Sequence, residues 1–124
     1  MVVMSNAQEE SDLFLRNSRD IDWVKEGGRR VSTAWFNLLI RRADGTETKL
    51  AIIVGRRFGT AVRRNRAKRI FRELGRLVRG QLVPGYRFIV FPKRDCLTKQ
   101  FALLRAAWIQ NLKQCGLVYG DVLT

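Results

Sequence analysis

The chain has 124 residues, enough for one domain with a modest core, and 24 Lys and Arg against 11 Asp and Glu leave it a net charge of +13. It has no His and two Cys, which removes the usual zinc-ligand patterns and any Ser/His or Cys/His nucleophile pair. No apolar run approaches the ~20 residues of a membrane span and the polar, acidic start is unlike a secretory signal, so a cytoplasmic protein is expected, with a polyanion as partner.

Residues 1–12 read as a flexible extension, 13–118 as the single domain and 119–124 as a tail. Ser18 is a plausible N-cap for a helix over 19–26, stopped by Gly27 and Gly28. Residues 33–42 alternate as a strand: Ala34, Phe36, Leu38 and Ile40 on one face, Trp35, Asn37, Leu39 and Arg41 on the other. Asp44-Gly45 suits a hairpin turn. Residues 49–55 then read as the returning strand, apolar on both faces and therefore expected in the centre of the sheet. Thr60 can cap a long helix over 61–79, with Gly80 as its C-cap. Pro84-Gly85 marks a turn, and 86–91 form a further strand. Thr98 is a candidate cap for a last helix over 98–114, with Phe101, Leu104, Trp108 and Leu112 on one side. The order is α-β-β-α-β-α, with room for one more short strand. Cys96 and Cys115 read as small apolar fillers near the last helix.

The long helix carries the most information. Ten of residues 56–79 are Arg or Lys and only Glu73 is acidic, so this segment holds +9 of the +13. Ala67, Ile70, Phe71, Leu74, Leu77 and Val78 cover one arc at 100° per residue. Arg64, Asn65, Lys68, Arg69, Arg72, Arg76 and Arg79 cover the opposite one. A solvated helix mixes signs at i,i+4, whereas Arg64/Lys68, Lys68/Arg72 and Arg72/Arg76 are like-charge pairs, and Arg63 and Arg64 oppose the macrodipole. Each conflict costs tenths of a kcal/mol, and a phosphate backbone reverses all of them.

The run from Gly59 to Glu73 (GTAVRRNRAKRIFRE) resembles the signature of the bacterial ribonuclease P protein subunit. Arg16, Asp20, Gly28, Val31, Phe36 and residues 54–57 fit that family as well, and the similarity spans roughly residues 13–115. The resemblance implies a single-domain α+β fold, an α-β-β-β-α-β-α sandwich around a central mixed sheet with a left-handed crossover. It implies a protein that binds a catalytic RNA and helps it remove the 5′ leader of precursor tRNA, the RNA performing the chemistry with magnesium. Arg56, Arg57, Arg63, Arg64, Asn65, Arg66, Lys68, Arg69, Arg72 and Arg76 would then bind RNA. Arg16, Ile21, Lys25, Trp35, Asn37, Leu39 and Arg41 would form a leader-binding cleft between the first helix and the sheet. The family's cleft often carries aromatics where this chain has Ile21, Lys25 and Leu39, leaving Trp35, Trp23 or Phe14 to substitute.

The residues support the cleft independently, since Trp35, Asn37, Leu39 and Arg41 together suit neither a dry core nor open water. Single strands are held by stacking platforms beside cations. Packing of Trp35 beneath the first helix remains equally open. Asp20 and Asp22, at i,i+2, point apart and form no acid/base pair. That argues against a stand-alone ribonuclease. A ribosomal or assembly protein without a processing role is the alternative, and a membrane-surface protein is disfavoured because the core needs the helix's apolar arc. No cofactor is expected on the protein itself, magnesium is expected with the RNA subunit, and the free protein is expected to be monomeric.

Overall fold

The computed structural model describes residues 13–120, so the expected extension 1–12 and residues 121–124 of the expected tail lie outside it. The elements are α1 (Ser18–Gly27), β1 (Arg29–Ser32), β2 (Phe36–Arg42), β3 (Lys49–Ile52), α2 (Ala61–Val78), β4 (Tyr86–Pro92) and α3 (Phe101–Gln114), with 3₁₀ turns at Arg56–Phe58, Arg79–Gln81 and Arg94–Thr98. The order is the α-β-β-β-α-β-α arrangement, in an α+β fold. The sheet runs β1-β2-β4-β3; β2 is antiparallel to β1 and β4, and β3 is parallel to β4.

The alternation over 36–42 is real, and it places Phe36, Leu38 and Ile40 in the larger core. On that face lie α2, contributing Ala67, Phe71, Leu74 and Val78, and α3, contributing Leu104, Trp108, Ile109 and Leu112. Phe36, Phe71 and Trp108 meet edge to face with centroids 5.5–5.8 Å apart, and Trp108 Nε1 donates to the Leu74 carbonyl at 2.9 Å. On the opposite face α1 covers a smaller cluster of Leu15, Val24, Ala51 and Ile89.

Several local expectations are corrected. The hairpin lies between β1 and β2, where the Thr33 and Phe36 main chains and the Thr33 hydroxyl close the turn. Asp44-Gly45 does turn, but β2 and β3 are not neighbours, because β4 inserts between them. β3 is therefore an edge strand rather than a central one. It is apolar on both faces because each is covered, and its outer edge is shielded by residues 14–15, where Leu15 N–H donates to the Leu50 carbonyl at 2.7 Å. Asn17, not Ser18, caps α1, accepting from Arg19 N–H at 2.8 Å. Gly80 is no C-cap, since α2 runs on into a 3₁₀ turn. Thr98 lies in the preceding 3₁₀ turn and bonds back to the Asp95 carbonyl, so α3 starts three residues later and Phe101 is left exposed.

Candidate RNA-binding surfaces

The first surface is the polar side of α2. Gly59, at φ 149°, makes the turn into the helix, Thr60 caps it by accepting from Arg63 N–H at 3.3 Å, and the buried Phe58 pins the loop that exposes Arg56 and Arg57. Arg63, Asn65, Arg66, Arg69, Arg72 and Arg76 are exposed, while Arg64 and Lys68 are half-buried. Arg64 Nη1 donates to the Gly59 carbonyl at 2.6 Å, so this side chain braces the loop as well as adding charge. Glu73, the one carboxylate on the helix, pairs with Arg76 at 3.4 Å.

The second surface is the sheet face under and beside α1. Strand register places its residues in rows across the sheet. One row holds Ser32, Asn37 and Phe91, the next Arg30, Leu39, Ile89 and Ala51, and the last Arg41, Arg87 and Lys49. Ile21 and Leu39 join the small cluster with Trp23, Ile53 and Phe91. Asn37 is oriented by the Ser32 hydroxyl, which donates to Asn37 Oδ1 at 2.9 Å. Arg16 and Ile21 line an open groove of about 470 Å³ together with Arg72 of α2, which brings the two surfaces into contact. A second groove leads from Ile53 and Phe91 to Arg57, Lys93 and Arg94. Lys25 is exposed in the last turn of α1, one turn beyond Ile21.

Trp35 does not belong to this face. The strand is three residues shorter than the alternation over 33–42 predicts: the chain bends at Ala34 and Trp35, β2 begins at Phe36, and the Trp35 ring packs against the larger core with Lys99 Nζ 5.7 Å from its centroid. Arg41 does lie on the face but is engaged. Its Nη1 donates to the Trp23 carbonyl at 2.6 Å and its guanidinium carbon sits 3.9 Å from the Trp23 ring centroid. Gly27 makes room for it, because a Cβ there would fall 2.5 Å from Arg41 Cζ. Arg41 thus clamps the end of α1 to β2.

Phe91, Ile53, Arg87, Lys49, Lys93 and Arg94 were not singled out from sequence. For Arg87 and Phe91 the signal is the alternation of 87, 89 and 91, which becomes informative only once β4 is known to lie beside β2; the other four reach the face only through the tertiary pairing. Among the described residues no three His, Cys, Asp or Glu side chains are grouped to hold a metal, and no helix is long and apolar enough to cross a membrane.

The model of the family described as Ribonuclease P matches residues 10–116. The chain belongs to the ribonuclease P protein family. Among relatives, the ribonuclease P protein component of Herpetosiphon aurantiacus is 36% identical, covering 83% of this chain and 84% of its own. That of Syntrophobacter fumaroxidans is 41% identical over 72% of this chain and 75% of its own. The solved RNase P protein from Thermotoga maritima superposes with a TM-score of 0.72 at 30% identity, covering 82% of this chain and 96% of that one. A Staphylococcus aureus RNase P protein mutant, at 19% identity, shares the fold with a TM-score of 0.79, covering 90% of this chain and 94% of that one.

Proposed function

We propose that the chain works as the non-catalytic protein subunit of ribonuclease P, with the α2 stripe against the catalytic RNA and the α1–sheet cleft along the 5′ leader of precursor tRNA. The observation that carries this is the junction at Arg72, where the stripe and the cleft share one groove with Arg16 and Ile21. One protein can then hold two RNAs side by side and fix their relative position. Arg63, Asn65, Arg66 and Arg69 present donors to phosphates and ribose. Asn37, Leu39 and Phe91 offer an amide and an apolar floor to unpaired bases, and Arg16 and Arg72 supply charge where the strands meet. Clustered cations beside the scissile region offset phosphate repulsion and lower the magnesium that the RNA subunit needs. The free protein is taken as a cytoplasmic monomer.

The test is cleavage of precursor tRNA in three mixtures at low magnesium: protein alone, RNA subunit alone, and both. Activity should rise sharply only in the third. Cleavage by the protein alone, abolished by a point substitution in this chain, would overturn the proposal and make it a ribonuclease in its own right.

A further inference from the structure

Residue 13 enters the fold beside the C-terminal half of α2. Leu13 is buried in the larger core, and Phe14 pairs in parallel with Leu50 on the outer edge of β3. The Phe14 ring lies against Gly75 of α2, where a Cβ would stand 3.4 Å from it. Lys68, Arg72 and Arg79 share the helix face of Gly75, one or two turns away, so they form the ridge that flanks this ring. Arg72 and Phe14 line the same groove. Because residues 14–15 run parallel to β3, the chain before them leads back toward the start of that strand. The end of α2 lies there too, since the Thr48 hydroxyl, just ahead of β3, donates to the Val83 carbonyl, a few residues past the helix. The ridge repels itself. Lys68 and Arg72 are like charges one turn apart, and among the described residues neither forms an ion pair. Residues 8–12, outside the described part of the chain, read Gln-Glu-Glu-Ser-Asp and bring Glu9, Glu10 and Asp12 next to the most basic segment of the protein. Four residues reach up to about 14 Å, and the ridge from Arg72 to Arg79 is about 10 Å long.

We propose that the Lys68–Arg72–Arg79 ridge is a docking surface for the chain's own acidic segment, Glu9, Glu10 and Asp12, which serves there as a counter-anion that RNA must displace. The proposal rests on the reading of α2 as the face for the RNA subunit. In the free protein the three carboxylates relieve the repulsion along the helix. When RNA arrives, its phosphates compete with them for the same cations, so part of the binding free energy goes into releasing the segment. An RNA that touches only this ridge gains little, whereas one that also engages Arg63, Asn65, Arg66 and Arg69 at the other half of α2 displaces it. The segment thus weakens indiscriminate attraction of polyanions by a strongly basic protein.

The experiment uses the full chain and the variant Glu9→Gln/Glu10→Gln/Asp12→Asn, which removes charge and keeps shape. Asp22→Asn/Glu26→Gln/Glu47→Gln, at exposed positions on α1 and ahead of β3, makes the same change in net charge away from α2. Two quantities are read at low and at high salt: affinity for polyuridylate and for the RNA subunit, and the unfolding constant of the RNA-free protein in urea. An exposed pair is worth a factor of about two, so three give roughly eightfold. At low salt the first variant should bind polyuridylate roughly eightfold more tightly and unfold roughly eightfold more readily, because the same contact is lost in both processes. Both differences should vanish at about 1 M salt, where the screening length is ~3 Å. The gain in affinity should be smaller for the RNA subunit, which also holds the other half of α2. Unchanged affinity and stability, weaker RNA binding, a gain that persists at high salt, or an equal response in the second variant would each overturn the proposal. If wild-type binding of the RNA subunit shows no dependence on salt, the reading of α2 on which the proposal rests is what fails.

Discussion

Replacing Arg41 by Ala removes the clamp between α1 and β2, and the structure sets the size of the effect. The 2.6 Å bond from the guanidinium to the Trp23 carbonyl is charge-assisted and worth about 1.5 kcal/mol. The cation above the Trp23 ring, 3.9 Å from its centroid, adds ~0.5 kcal/mol at a half-exposed site. The sum, about 2 kcal/mol, is roughly a 30-fold shift in the docking equilibrium of α1. It should not unfold the protein, because the large core lies on the other face of the sheet and α1 contributes only Val24 as a fully buried side chain. Native-state hydrogen exchange reads this directly. Amides in the last turn of α1 should exchange roughly 30-fold faster while those of β4 keep their protection. Gly27→Ala, whose new Cβ would displace the Arg41 guanidinium, should produce the same pattern more weakly. Arg41→Lys should recover little, since an ammonium neither stacks nor forks as a guanidinium does. If Arg41→Ala leaves α1 exchange unchanged but still weakens precursor binding, Arg41 touches the RNA itself and the clamp argument is wrong.

Three further outcomes are expected. Binding of the RNA subunit should show a log–log salt slope on the order of −4 to −6, from about 5–7 phosphate contacts along α2; a slope near zero in a salt titration would refute the electrostatic account. Arg66→Ala and Asn65→Ala should weaken that binding without changing the urea midpoint, because both side chains are exposed, whereas Arg64→Ala should also cost about 1 kcal/mol of stability by freeing the Gly59 carbonyl. Burial, reinforced by Asp95, pushes the Cys96 thiol up to about 11, so it should resist alkylation at pH 8 in the native protein. The native state keeps this proton after the unfolded state has lost it, so stability should fall as pH rises from about 9 towards 11, a component that should vanish in Cys96→Ala when the two alkaline stability profiles are compared.

Much of the protein was set by local sequence. The charge asymmetry of residues 56–79, the Thr60 cap and the 3.6-residue periodicity define α2 and its two faces, because a helix is organised by neighbours three and four residues apart. The motif around Arg64-Asn65-Arg66 carried the family, and the structure agrees with its strand count. What sequence could not decide was which strands touch. Register and neighbour choice depend on contacts between distant segments, and a strand apolar on both faces looks the same whether sheet neighbours surround it or a helix and a terminal segment cover its edge. β3 was therefore misplaced at the centre and β4 was not recognised as lying beside β2. The same limit governs the cleft. A single turn, closed by Thr33 and Phe36, took Trp35 off the face that its alternation had assigned. Insertion of β4 brought Phe91, Arg87 and Lys49 onto that face from positions 91, 87 and 49, an arrangement that only the tertiary pairing of the strands could create.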